Sequence, residues 1–216
     1  EPNYFMPFAG RYTLAGKLAP LNDYRGVTEL DDAFSYFTNS KNIDVEKSKC
    51  IILNPGSIFD TETGQPSEPY KKIDKIQKQQ YIQNVLAKRK LDYESEQEPE
   101  IDEIKSLIGK CYERFERKRK ELRFSSETTV LIKLSSEEFL AISCNGNGWK
   151  IIKQKNIDNY KNYVKLSLDT RLLKWILSGP RYAHWNVAEN GSHITFERTP
   201  NVYERGLYYC LAFFYA

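Results

Sequence analysis

In the last third of the chain, apolar positions alternate with polar ones in short runs. Thr128 to Leu134 (TTVLIKL), Phe139 to Cys144 (FLAISC), Trp149 to Ile152 (WKII), Tyr163 to Leu168 (YVKLSL) and His193 to Glu197 (HITFE) are predicted strands by that alternation and their β-branched content. Asn145-Gly146-Asn147-Gly148 predicts a hairpin turn between the second and third of them. Asp169 reads as the N-cap of a short helix from Thr170 to Ser178 that buries Leu172, Leu173 and Ile176 and stops at Gly179-Pro180. Leu207 to Ala216 is nearly all apolar, which predicts a buried segment without deciding between helix and strand.

Upstream the period changes from two to about three and a half. Ile104, Leu107, Ile108, Cys111, Tyr112 and Phe115 fall on one face of a helix predicted from Ile101 to Leu122. Ile73, Ile76, Tyr81, Val85 and Leu86 follow a rougher helical register between Tyr70 and Leu91. The acidic stretch Glu94 to Glu100, with Pro99, separates the two, so the reading is an antiparallel pair of helices of about 30 Å each. A shorter helix is expected after Thr28, with Thr28 as cap, Asp31 three residues on, and Leu30, Ala33, Phe34 and Phe37 as its apolar face. Cys50 to Leu53 is a short strand candidate ended by Asn54-Pro55-Gly56, and Ser57 to Pro69 reads as loop. At the start, the aromatic run ending in Pro7-Phe8-Ala9-Gly10 reads as a short strand running into a tight loop. The fold class is α+β: a long helical hairpin and a mainly antiparallel sheet with a short helix.

Composition narrows the function classes. The net charge is only +3, too small to argue for nucleic acid. The run Arg114 to Arg123 is interrupted by Glu113, Glu116 and Glu121 and reads as a solvated helix face. Cys50, Cys111, Cys144 and Cys210 lie far apart without a CxxC pair. That spacing argues against a zinc ribbon or a disulfide scaffold and favours a reducing, cytoplasmic setting. The cysteines sit in apolar runs and read as core residues. No stretch approaches the roughly 18 apolar residues of a membrane span. The chain begins Glu1-Pro2 rather than with Met, which is read as a cut or processed piece.

The densest polar cluster is Gly179 to Arg205, which holds both histidines of the chain, His184 and His193, with Trp185, Asn186, Arg181 and Arg198. The histidines either satisfy buried backbone groups in a polar loop or contact a ligand, with an arginine clamping an anion. Their spacing matches no metal-binding pattern, and Glu189 as a third ligand does not complete one. There is no GxSxG elbow, no GxGxxG and no GxxxxGK[ST]. No nucleophile or nucleotide site is therefore expected.

Two stretches carry a family resemblance. YFMPFAGRY at the start, with the PFAG tetrapeptide Pro7 to Gly10, resembles the closing strand and loop of a metallo-β-lactamase-fold domain. The branch is that of the CMP-sialic-acid hydroxylases and related bacterial carbohydrate-cluster proteins. Asn54-Pro55-Gly56 falls where that branch carries a Pro-Gly element, and the ending from Leu172 to Tyr215 is similar to the C-terminus of the same proteins. Its helix–Gly–loop–strand order also resembles sterol-carrier-protein-like lipid-binding layers. The resemblance implies three regions: 1–65 as the closing remnant of a metallo-β-lactamase-like domain, 66–123 as the helical hairpin, and 124–216 as an α+β C-terminal domain.

That fold holds its metals through an HxHxDH motif, which this chain lacks. The resemblance then implies that the metal-binding domain lies upstream of Glu1, with zinc or iron in the intact hydrolase- or oxygenase-like protein and no cofactor in this chain. This region would be non-catalytic and would complete a substrate pocket. The implied contacts are Arg11 and Tyr12 beside the PFAG loop, with Arg181, His184, Trp185, Asn186, His193 and Arg198 from the polar cluster. The alternative is a stand-alone module binding a lipid or another small molecule. The expected partners are the N-terminal domain and a small-molecule ligand, with neither nucleic acid nor a membrane span.

Overall fold

The computed structural model describes residues 2–7, 12–26 and 28–216. The chain forms two compact units, Glu1–Arg89 and Lys90–Ala216. The division falls inside the segment 66–123 read as a helical hairpin. It is a mixed α+β protein.

The first unit is built mostly from turns. β1 (Tyr4–Phe5) and β2 (Lys49–Cys50) pair in parallel. β3 (Phe59–Asp60) and β4 (Gln65–Pro66) form a small antiparallel hairpin within the expected loop. Edge-to-face contacts of Tyr4 with Phe59 and of Phe5 with Phe37 hold these pieces together. A 3-10 stretch, Gly16–Tyr24, precedes α1 (Leu30–Thr38). Here the expectation of a Thr28 cap is corrected. Glu29 occupies the cap position without a side-chain hydrogen bond to the first turn, and α1 fully buries none of its residues.

The expected long helix from Tyr70 to Leu91 is also corrected. Only α2 (Lys75–Asn84) is α-helical, followed by a 3-10 turn at Leu86–Lys88. Asp74 starts α2 by accepting hydrogen bonds from the backbone N–H groups of Ile76 and Gln77. Asn54 anchors the segment before α2, accepting from Lys71 N and donating to the Pro69 carbonyl. The rough apolar register explains the short length. Ile73 precedes the helix, Ile76 is 71% exposed, and only Ile82 is buried. Without a continuous apolar stripe, packing adds little to a marginal helix.

The second unit is a helix layer on a five-stranded sheet. α3 (Ile101–Glu121) places Ile104, Ile108, Cys111 and Phe115 in the core, at the spacing the sequence shows. β5 (Thr129–Lys133), β6 (Glu138–Ser143), β7 (Trp149–Lys153) and β8 (Tyr163–Ser167) follow the predicted strands closely, and β9 (Thr195–Thr199) is shifted two residues beyond the predicted His193 to Glu197. The order is β7-β6-β5-β8-β9, antiparallel except for the central β5–β8 pair. α4 (Thr170–Ser178) carries the expected Asp169 cap and ends at Gly179, whose φ of 117° suits glycine. α5 (Trp185–Asn190) and α6 (Arg205–Leu211) are the last two α-helices, so the apolar end of the chain is helical as far as Leu211.

Alternation decides the two faces of the sheet. Val130, Ile132, Leu140, Ile142, Val164 and Leu166 join the helices in the main core. Leu131, Phe139, Ala141 and Ile152 point the other way, with Ile157, Tyr160 and Tyr163 packed against them. No described helix is long and apolar enough to cross a membrane.

Candidate functional site

The first unit contains a cleft of about 800 Å³, within the size range of small-molecule sites. Among the described residues, its walls come from six separated stretches. Met6 and Pro7 follow β1, Tyr12 and Thr13 come shortly after the PFAG tetrapeptide in the sequence, and Asn22, Asp23 and Arg25 lie at the end of the 3-10 stretch. Glu29 and Leu30 open α1, and Ile52 to Pro55 follow β2. Tyr70 to Ile82 supplies the last wall, with Lys71, Lys75 and Lys78.

Side-chain amides fix two of these walls. Asn22 accepts a hydrogen bond from Leu14 N at 2.9 Å and donates to the carbonyls of Leu14 at 2.9 Å and Ala19 at 2.8 Å. It thus ties the segment carrying Tyr12 to the 3-10 stretch. Asn54 binds Pro69 O and Lys71 N, each at 3.0 Å, and so sets where Tyr70 and Lys71 stand. The Arg25 guanidinium carbon lies 4.0 Å from the Tyr12 ring centroid, a cation–π contact. Lys78 donates to Glu29 at 2.6 Å across the wall. Among the described residues, four cationic side chains line the cleft (Arg25, Lys71, Lys75 and Lys78) against two carboxylates, Asp23 and Glu29.

Tyr12 is the one expected contact residue that lines this cleft. Arg11 lies outside the described residues, as do Phe8, Ala9 and Gly10 of the PFAG tetrapeptide. The other six belong to the second unit, where most of their polar groups are engaged within the fold. His184 caps α5, its Nδ1 accepting from the backbone N–H of Asn186 at 3.1 Å. Trp185 is buried and donates Nε1–H to the Phe214 carbonyl at 2.8 Å. His193 Nδ1 lies 3.2 Å from the Tyr93 hydroxyl, with the two rings edge to face. Arg198 donates Nε–H to the Tyr208 hydroxyl at 2.6 Å, and Arg181 is exposed.

Trp185 and the exposed Asn186 are brought together with Glu189 and Tyr208 around a cavity of only about 10 Å³. Burial raises the Glu189 carboxyl above its ordinary value, and the nearby Arg198 charge offsets part of that rise. Burial likewise raises the Tyr208 phenol, against the Arg198 hydrogen bond.

Cys111 and Cys144 are buried, with thiols pushed up to about 12, and the Cys210 thiol is pushed up to about 11, in each case first by desolvation. A thiol held so far up is protonated at neutral pH and a poor nucleophile. Among the described residues, no three His, Cys, Asp or Glu side chains gather as metal ligands. Comparisons with family models, curated proteins and solved structures found no match for this chain.

Sequence reasoning missed Arg25, Glu29, Tyr70 and the three lysines of the cleft. A faint signal was present in Asn54-Pro55 and in the Lys71 to Lys78 run, but only folding joins them to Tyr12.

Proposed function

We propose that this chain is the substrate-recognition part of a metal-dependent hydrolase-like protein of the metallo-β-lactamase fold. Its first unit would be the closing remnant of that domain, and its second unit a C-terminal layer of sterol-carrier-like order. The carrying observation is the cleft of about 800 Å³ lined by Pro7, Tyr12, Asn54 and Pro55. Pro7 and Tyr12 belong to the opening stretch that the resemblance sets beside a substrate pocket, and Asn54 and Pro55 to the Pro-Gly element of the same branch. The chain itself contributes binding groups, and the chemistry belongs to the domain that carries the metal.

The role of the cleft residues follows from their chemistry. Tyr12 offers a ring face that Arg25 already stacks upon, and Leu30, Ile52, Leu53 and Ile82 supply apolar wall. Such a surface binds by excluding water and orients a ligand through a few polar groups. A lipid-carrier reading of the second unit calls for an apolar cavity of roughly 300 Å³ or more. The cavity beside Trp185 is about 10 Å³, and Phe115 and Phe214 are fully buried in the core, so that reading draws no support there.

The test is the native product, purified from its source and assayed for hydrolysis with zinc or iron restored. Tyr12→Ala is expected to raise KM several-fold with kcat little changed, the signature of lost binding common to ground and transition states. A native product of 25.3 kDa, with no activity under those conditions, overturns the proposal.

A further inference from the structure

Resting on the reading of the cleft as a ligand site, we infer that its ligand is a small amphiphilic anion. The anionic end, a carboxylate, phosphate or sulfate, is received by Lys71 and Lys75, and a ring-sized apolar body lies against Leu30, Ile52 and Leu53.

The charges around the cleft are not equivalent. Lys78 is neutralised by Glu29 at 2.6 Å, and Arg25 is placed against the Tyr12 ring. Lys71 and Lys75 line the same cleft, and among the described residues neither has a carboxylate within ion-pair distance. Among the described residues Asp23 is the remaining acid of the lining, so they give the cleft a net excess of positive charge over a partly apolar wall. An ammonium behaves as a point charge with three donors and binds any compact oxyanion without demanding planar geometry.

Lys71 is also positioned. Its backbone N–H is fixed to the Asn54 side chain at 3.0 Å, which sets it beside the Ile52 to Pro55 wall of the cleft. Lys75 stands in the first turn of α2, where Asp74 has already engaged the first free N–H groups. The helix end is therefore closed to the ligand by its own cap, and the two ammonium groups carry the anion recognition. A neutral apolar ligand would gain nothing from this excess, and a cation would be repelled by it.

The inference is tested on the full chain with two fluorescent probes of similar shape. One is 8-anilinonaphthalene-1-sulfonate and the other the uncharged N-phenyl-1-naphthylamine. For Lys71→Glu/Lys75→Glu the affinity for the sulfonate is expected to fall about tenfold or more, with that for the neutral probe unchanged. The control Lys155→Glu/Lys161→Glu makes the same charge change in the second unit and should leave both affinities unchanged. Raising salt from about 0.05 to about 0.5 M should weaken the sulfonate alone. Leu30→Glu should remove both probes, with the fold of each variant checked by circular dichroism. If the sulfonate and the neutral probe respond alike to the lysine changes, anion selection is overturned and the cleft remains a ligand site. If neither probe binds, or Leu30→Glu displaces neither, the reading of the cleft itself fails.

Discussion

The indole N–H of Trp185 reaches the carbonyl of Phe214 at 2.8 Å in the buried interior of the second unit. One hydrogen bond thereby joins the first residue of α5 to the tail after α6, and both aromatic rings enter the same core. The polar atom that made Trp185 attractive as a ligand contact is spent on the fold.

Replacing it should show this directly. Trp185→Phe keeps most of the ring but leaves the Phe214 carbonyl without its donor, which costs about 1–3 kcal/mol. Trp185→Ala adds a cavity and should cost about 3–5 kcal/mol. Trp149, Trp175 and Trp185 all lie in the second unit, so fluorescence from the remaining tryptophans follows its unfolding in urea. An unchanged midpoint for both variants would leave Trp185 free for a ligand role.

Gly206 provides a test in which helix propensity gives the wrong sign. It sits in α6, where alanine normally stabilises by up to about 1 kcal/mol. A Cβ there would lie 2.4 Å from Cδ2 of the Phe124 ring, and that ring packs against the core. Gly206→Ala is therefore expected to destabilise the second unit by about 1–3 kcal/mol. Adding Phe124→Leu should recover part of the loss, measured as the coupling in a double-mutant cycle.

Much of the second unit was legible in the sequence because its signals are local. Asp169 caps α4 and Gly179 ends it, as their residue types imply, and β5 to β8 each follow an alternating run. The Leu207 to Ala216 run could not be resolved between helix and strand, since a short all-apolar segment has no readable period. The first unit was less legible. Thr28 has the better capping chemistry, yet Glu29 occupies the cap position. Pro20 lies within a 3-10 stretch that no apolar period announces. The cleft was hidden for a different reason. Met6, Tyr12, Leu30, Asn54 and Lys71 meet there only through tertiary contacts, and no spacing rule links them.

Two carboxyls of the second unit should respond to pH with opposite sign. Glu116 is held below the usual carboxylate value, first by its hydrogen bonds to Arg119. Its ionised form therefore stabilises the fold above the unfolded value near 4.5, and that contribution is lost as pH falls through the lower folded value. Glu189 is raised by burial, so its protonated form is the favoured one. Its contribution is full below 4.5 and lost as pH rises through the folded value. At pH 7, Glu116→Gln should destabilise by about 1 kcal/mol, whereas Glu189→Gln should stabilise. Both differences should shrink on acidification, read as urea midpoints across the range. A Glu189→Gln variant less stable than wild type at pH 7 would show that the ionised group has a partner.

Asn22 is expected to be the residue on which the shape of the cleft depends. Its amide makes three hydrogen bonds to the Leu14 backbone and the Ala19 carbonyl, and Leu14 and Ala19 are both buried. Water cannot readily replace those partners, so Asn22→Ala should cost about 1–3 kcal/mol locally. Asn22→Asp keeps the acceptor for Leu14 N but sets a carboxylate against two carbonyls, and should cost at least as much. Amide hydrogen exchange from Tyr12 to Tyr24 is expected to accelerate in both variants, with the second unit unchanged. The affinity of the naphthylamine probe should fall with it, because Tyr12 and Arg25 lie on either side of the segment Asn22 ties down. Faster exchange with unchanged probe affinity would separate the stability of this wall from ligand binding, and would place the apolar contact on the α1 side alone.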